Sequence, residues 1–218
     1  MTETPRSVLI ALMVLTLVTG VVDAASVLDL GHVFTANMTG NVVFLGFALA
    51  GQGTTSVTGS LLAFGSFAAG ALVGGRVVKA ATARALKVAF SLEVVTLFVA
   101  AGLAFAAARG TTFVIVGLLA FTMGLRNAVI RKLAIPDMTT TVLTLTVTGL
   151  AADSSLARGA NPRWQRRVFA VLAMLTGAAL GAALLPLGVA WVVGLAAALE
   201  AIAVALLSAR ADSFERER

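Results

Sequence analysis

Long apolar stretches, broken by short polar or charged segments, run along the whole chain. From Leu30 to Gly75 there is no Asp, Glu, Lys or Arg, and from Val168 to Ala209 the only such residue is Glu200. A membrane-spanning helix needs roughly 20 predominantly apolar residues. The pattern therefore predicts an all-helical protein that crosses a membrane several times.

The pattern divides into eight apolar segments. Pro186 and Gly188 split the last long stretch into two helices, because both residues interrupt helical periodicity. The second and sixth segments are the shortest and the richest in Thr and Asn. The predicted ranges are 7–28, 34–50, 57–76, 87–108, 111–131, 138–152, 167–185 and 189–209.

Four short motifs recur in the same order in the two halves of the chain. Two recur at an offset of 107 residues, one at 104 and one at 100. They are Gly70-x3-Gly74 with Gly177-x3-Gly181, Leu92-Glu93 with Leu199-Glu200, Gly20-x2-Asp23 with Gly124-x2-Asn127, and Asn37-Met38-Thr39 with Asp137-Met138-Thr139. We therefore predict one membrane domain built from two repeats, about 7–108 and 111–209. A cleaved signal peptide at residues 1–25 fits less well, since the Gly20-x2-Asp23 motif in this range has its copy in mid-chain.

Composition supports the membrane assignment and excludes other classes. The chain of 218 residues is 59% hydrophobic and 12% charged, with a mean hydropathy of +1.01. Soluble domains carry about 25% charged residues. We therefore expect neither a soluble enzyme nor a nucleic-acid binder. The chain has no Cys and a single His, His32, so we predict no disulfide, no metal centre and no cofactor.

The distribution of Lys and Arg predicts the topology. Basic clusters lie at 76–87, 126–132, 158–167 and in the tail after Ala209. Cytoplasmic loops accumulate such residues. If the second and sixth segments enter and leave on the same side, all four clusters lie inside and only Arg109 lies outside. This arrangement has six spans, three per repeat with inverted topology, and cytoplasmic termini. The alternative is eight spans in two parallel repeats.

The second and sixth segments begin with polar residues that favour a helix start. Asn, Asp and Thr are good N-caps, and Pro136 suits a first turn. Secondary transporters with inverted repeats bind solutes where such broken helices begin inside the membrane. We predict a binding site for a small polar or anionic solute, lined by Asn37, Thr39, Asn41, Arg126, Asn127, Asp137, Thr139 and Thr141. The alternative is ordinary capped helix starts whose Thr and Asn residues join helices by hydrogen bonds.

Three carboxyl side chains are candidates for proton coupling. Ionisable residues inside a membrane are functional candidates by default. Asp23 lies near the end of the first span, where we expect it to approach Arg126, and Glu93 and Glu200 occupy matching places in the two repeats. The alternatives are a solvated helix end for Asp23 and neutral buried acids that hold helices together for the two glutamates.

Several of these motifs resemble one family of bacterial proteins. Residues 20–26 (GVVDAAS), 34–41 (FTANMTGN), 124–128 (GLRNA) and 137–141 (DMTTT) are similar to the YoaK-type family of small multi-span membrane proteins. The resemblance covers nearly the whole chain. It implies a bacterial inner-membrane protein and supplies neither a substrate nor catalytic residues.

The sequence thus favours a secondary transporter that is not an enzyme. We expect its partners to be the lipid bilayer and a small solute. The Gly- and Ala-rich faces are compatible with a homodimer. The two alternative functions are a channel of the same architecture and a membrane scaffold that carries no solute.

Overall fold

The computed structural model describes residues 5–52, 56–80, 82–106, 110–134 and 143–216. These residues form helices and connecting turns, without a strand among them, which confirms the predicted fold class. The α-helices are α1 (Arg6–Leu28), α2 (Met38–Leu49), α3 (Val57–Val77), α4 (Ala83–Ala106), α5 (Thr112–Leu133), α6 (Leu143–Ala152), α7 (Trp164–Leu184) and α8 (Val189–Arg216). Short 3₁₀ turns cover Val78–Ala80, Ser155–Ala157 and Leu185–Leu187.

Six helices of the described chain, namely all except α2 and α6, are long and apolar enough to cross a membrane. At about 1.5 Å of rise per residue, helices of this length match a bilayer core of about 30 Å. The helix α2 has 12 residues and α6 has 10, so each is too short to span alone. This confirms the prediction of six long apolar helices and two short ones.

Two buried apolar clusters mark the two ends of the helix bundle. One cluster contains Leu12 from the start of α1, Phe90 from the start of α4, and Ile130 and Ala203 from the later parts of α5 and α8. Lys79 lies in the turn after α3 at this end, which we call the basic end. The chain therefore enters α1 and α4 at the basic end and leaves α5 and α8 there.

The second cluster lies at the opposite end of the bundle. It contains the late α1 residue Val22, the early α3 residue Ala63 and the early α5 residue Ile115, and Leu184 at the end of α7 packs against it. Consequently α1, α4 and α7 run in one direction, and α3, α5 and α8 run in the other. Since α1 ends and α3 begins at the same end, α2 does not carry the chain across the bundle.

Glycines allow two pairs of parallel helices to approach closely. A Cβ atom on Gly177 of α7 would lie 2.0 Å from the carbonyl oxygen of Leu17 in α1. A Cβ atom on Gly70 of α3 would lie 2.0 Å from the carbonyl oxygen of Phe121 in α5. The two contacts correspond at the sequence offsets of 107 and 104 residues. Backbone contact of this kind replaces side-chain packing where lipid offers no hydrophobic driving force.

Candidate functional site

Residues 29–37 fold back along the last turns of α1. The Oδ1 atom of Asp23 accepts hydrogen bonds from the backbone N–H groups of Thr35 (3.3 Å) and Ala36 (3.1 Å) and from the Thr35 hydroxyl (3.4 Å). Asp23 lies five residues before the last residue of α1, Leu28, which is about 7.5 Å along a helix. The chain therefore returns into the bundle before α2 begins.

Asn41 holds the returning segment in place through two hydrogen bonds to its backbone. Its Nδ2 atom donates to the carbonyl oxygen of Phe34 at 2.5 Å, and its Oδ1 atom accepts from the Phe34 N–H at 2.8 Å. The Asn41 side chain is buried, and both of its polar atoms bind the backbone of Phe34 and not a solute. These bonds hold Phe34 outside the helix, so α2 begins at Met38 and not at the predicted residue 34.

A cavity of about 710 Å³ lies between the beginnings of the two short helices and the long helices α1, α3, α5 and α7. Four residues of the predicted site line it: Asp23, Asn37, Thr39 and Asn127. Asn37 and Thr39 belong to the start of α2, and Thr144 belongs to the start of α6. Residues from the first described turns of both short helices thus line one cavity.

The cavity lining contains matched residues from the two halves of the chain. Each pair is separated by one of the three offsets found in the sequence, 100, 104 or 107 residues. The pairs are Asp23 with Asn127, Phe67 with Met174, Val43 with Leu143, and Phe44 with Thr144. The cavity therefore lies between the two halves, not within either one.

The second carboxylate oxygen of Asp23 is available to the cavity. Within the described part of the chain, Oδ2 makes no hydrogen bond, while Oδ1 makes the three given above. Opposite it, the Asn127 Nδ2 atom donates to the Met123 carbonyl oxygen at 2.8 Å. A carboxylate with one oxygen bound to the backbone and the other open is fixed in position and still able to bind a proton or a donor group.

Arg126 lies beside Asn127 in the sequence, and its side chain is buried away from the cavity. Its Nε donates to Oε2 of Glu93 at 3.1 Å, and its NH2 group donates to Oε2 of Glu200. Its NH1 group donates to the carbonyl oxygen of Leu15 (3.1 Å) and to the hydroxyl of Thr19 (3.3 Å). All three charged side chains of this triad are fully buried.

The contacts of Arg126 differ from those that the sequence predicted. We expected Arg126 to pair with Asp23 or with an anionic solute, but both glutamates occupy its guanidinium group. Arg126 stands at the crossing of α4, α5 and α8, with α1 supplying two further oxygen acceptors. The residues Asp137, Thr139 and Thr141 of the predicted site lie outside the described residues.

Arg167 holds the end of α6 and was absent from the predicted site. Its NH1 atom donates to the Gly149 carbonyl oxygen at 2.5 Å and to Oδ2 of Asp153 at 2.7 Å. A cation at a helix C-terminus binds carbonyl oxygens that the helix leaves unpaired. In the sequence Arg167 is the last residue of the basic cluster 158–167 and the first of the predicted segment 167–185, and its place on a helix seven residues before the lining residue Met174 is the signal that could have identified it.

Comparison with known proteins agrees with this architecture. The UPF0700 transmembrane protein YoaK of Bacillus subtilis (strain 168) is 37% identical over 154 residues, which are 69% of this chain and 68% of the relative. No solved structure matches the chain. A family model described as a protein of unknown function (DUF1275) matches residues 11–206. The chain therefore belongs to the DUF1275 family, as its resemblance to YoaK-type membrane proteins predicted.

Proposed function

We propose that the protein is a secondary transporter of a small polar solute. The observation that carries the proposal is the cavity of about 710 Å³ between the two halves, into which the first turns of α2 and α6 both face. A volume between about 300 and 1,000 Å³ is usual for a small-molecule site. Sites between repeats, formed by short helices that begin inside the membrane, are typical of secondary transporters.

The proposal includes two repeats of opposite orientation. The opposite directions of α1 and α5, and the matched glycine contacts of Gly70 and Gly177, support such a relation. We assign the basic end to the cytoplasm of a bacterial inner membrane, because Lys and Arg accumulate in cytoplasmic loops. Both termini then lie on the cytoplasmic side.

The polarity of the cavity narrows the class of solute. The described lining contains one carboxylate (Asp23), two amides (Asn37 and Asn127) and hydroxyl groups, among them Thr39. Arg126, which favoured an anion in the sequence, has its donors bound elsewhere. We therefore favour a polar solute with hydrogen-bond donors for Asp23 over an anion.

Asp23 is suited to couple solute movement to a proton. Its Oδ1 stays bound to the backbone of Thr35 and Ala36, so only Oδ2 exchanges partners. A proton on Oδ2 neutralises the carboxylate and makes it a weaker acceptor for a solute donor, so the proton and the solute compete for Asp23. Proton release would then accompany solute binding on one side of the membrane.

The test uses purified protein in liposomes with a pH-sensitive dye inside. A panel of small polar solutes is added outside, and we expect one class to cause saturable uptake together with a pH change in the lumen. The Asp23→Asn variant should lose the pH change, because the amide cannot carry the proton. Asp29→Asn is the matched control, since Asp29 is exposed and lies outside the cavity.

Three results would contradict the proposal. Flux that rises linearly without saturation would indicate a channel. Absence of flux for the whole panel, with stable complexes of another membrane protein, would indicate a scaffold. An unchanged pH signal in the Asp23→Asn variant would show that Asp23 does not carry the coupled proton.

A further inference from the structure

The charges of the buried triad do not balance. Arg126 contributes one positive charge, whereas Glu93 and Glu200 contribute two negative charges when both are ionised. Within the described residues, no second cation contacts the group. A net buried charge of −1 is costly in a low-dielectric interior, because desolvation is repaid only by a partner of opposite charge.

The hydrogen bonds of the triad are also one donor short. The Oε1 atoms of Glu93 and Glu200 are both buried without a hydrogen-bond partner in the described part of the chain. The two carboxyl groups are neighbours on one guanidinium group, because Glu93 accepts from Nε of Arg126 and Glu200 accepts from its NH2 group. Two ionised carboxylates cannot bond to each other, since neither has a hydrogen to donate.

We propose that Glu93 and Glu200 share one proton. The O–H bond belongs to one carboxyl group, and the second carboxylate accepts from it. With this proton the triad is neutral, and the shortage of one donor is removed. Two carboxyl groups that share a site hold a proton in this way because they cannot both ionise at short distance.

A metal ion is a poorer occupant of the same place. Hard cations such as Ca²⁺ take about six to eight oxygen ligands. Only the two Oε1 atoms are unused here, since the Oε2 atoms, the Leu15 carbonyl and the Thr19 hydroxyl all bind Arg126. A proton needs two oxygens and no additional space.

The position of the triad suggests what the proton does, and this part rests on the proposed transport function. Arg126 and Asn127 are consecutive on α5. Arg126 belongs to the triad, and Asn127 lines the cavity. The two glutamates come from α4 and α8, one helix from each half of the chain. Loss of the proton would leave two carboxylates repelling each other across the contact between the halves. The shared proton would therefore stabilise that contact.

The experiment is infrared spectroscopy of the purified protein in lipid nanodiscs at neutral pH. The protein is produced with ¹³C-labelled glutamate, so that the carbonyl stretch of protonated Glu is separated from that of Asp. We expect one protonated Glu carboxyl group in the wild-type protein, with the small shift on transfer to heavy water that an O–H group shows. The band should disappear in both Glu93→Gln and Glu200→Gln, because each variant leaves a single carboxylate paired with Arg126.

The wild-type spectrum keeps the test decisive if a variant fails to fold. Absence of a protonated Glu band in the wild-type protein overturns the proposal, as does a band that persists in both Gln variants. A band that sodium ions abolish would assign the place to a metal cation instead. The spectrum needs no solute, so the two proposals can fail separately. A protonated Glu band without any flux in liposomes would contradict the transport function and still support the shared proton.

Discussion

Arg126 and Asn127 are neighbours in the chain, but their side chains belong to two separate polar sites. The Arg126 side chain binds two buried glutamates, whereas the Asn127 side chain lines the cavity opposite Asp23. Successive residues of an α-helix point about 100° apart, so one turn of α5 reaches both sites. Any small rotation of α5 would change both sites at once.

The first prediction concerns the topology. We expect Lys79→Cys and Ser155→Cys to be protected from an impermeant thiol reagent in intact cells and to react after lysis. Both positions are exposed, and the chain has no Cys of its own. Gln52→Cys and Leu187→Cys, which are exposed in the connections after α2 and after α7, should react from outside.

Labelling of only one of Lys79→Cys and Ser155→Cys in intact cells would contradict this arrangement. In that case α6 or its flanking segments would carry the chain across the membrane. The eight-span alternative would then replace the six-span one.

The second prediction concerns the close approach of α1 and α7. We expect Gly177→Ala to destabilise the protein by about 1–3 kcal/mol, the usual cost of overpacking. Its Cβ atom would lie 2.0 Å from a backbone oxygen, that of Leu17, which cannot move independently. Gly102→Ala is the control, because a Cβ atom there meets nothing within 4 Å. Thermal unfolding of both variants in detergent gives the comparison, and equal midpoints would show that the helices can separate at no cost.

The third prediction concerns the returning segment. We expect Asp23→Ala to speed up amide hydrogen exchange at Thr35 and Ala36, because their N–H groups lose the acceptor Oδ1. An unsatisfied buried donor costs about 1–3 kcal/mol, which corresponds to roughly fivefold to 150-fold in local opening. Asp23→Asn retains an oxygen acceptor, and exchange there should stay near the wild-type rate. Exchange measured by mass spectrometry on peptides covering residues 33–37 distinguishes the two variants, and equal rates in all three proteins would mean that Asp23 does not hold this segment.

The fourth prediction concerns the triad as a unit. We expect Arg126→Met to destabilise the protein by about 3–5 kcal/mol, because it leaves Glu93 and Glu200 buried without a cation. Combining it with Glu93→Gln and Glu200→Gln should restore most of that loss, since no buried charge remains. Denaturant unfolding of the single and triple variants measures the difference. A triple variant less stable than Arg126→Met would show that the ionic contacts themselves hold α4, α5 and α8 together.

Much of the helical architecture follows from hydropathy alone. The third predicted segment, 57–76, matches α3 (Val57–Val77), and the first, 7–28, matches α1 (Arg6–Leu28). Apart from the later start of α2, two clear differences occur where charged residues are helical. The helix α4 begins at Ala83 and not at residue 87, because helices extend beyond the apolar core into turns that bear Arg and Lys. The tail of α8 extends to Arg216 for the same reason.

The sequence predicted several residues of the candidate site, but not which side chains contact each other. The sequence indicates Asp23, Asn37, Thr39 and Asn127 through polar residues at matching places in the two halves of the chain, and all four line the cavity. The partner of Arg126 could not be read from the sequence, because its helix is apolar on nearly every side and shows no preferred face. One arginine within an apolar segment needs a carboxylate at depth, but the sequence offers Asp23, Glu93 and Glu200, and nothing in it selects the two glutamates.

The glycine contacts have a consequence for how the protein is made. The helix α1 packs against α7, and α3 packs against α5, so each close pair joins an early helix to a late one. The backbone surface of α1 around Leu17 and Gly20 therefore has no native partner until about 150 further residues have left the ribosome. A nascent chain stopped after the first half holds three inserted helices whose glycine surfaces remain open. We therefore expect the bundle to assemble after its helices have inserted, and the chain to become resistant to membrane proteases only when α7 is in place.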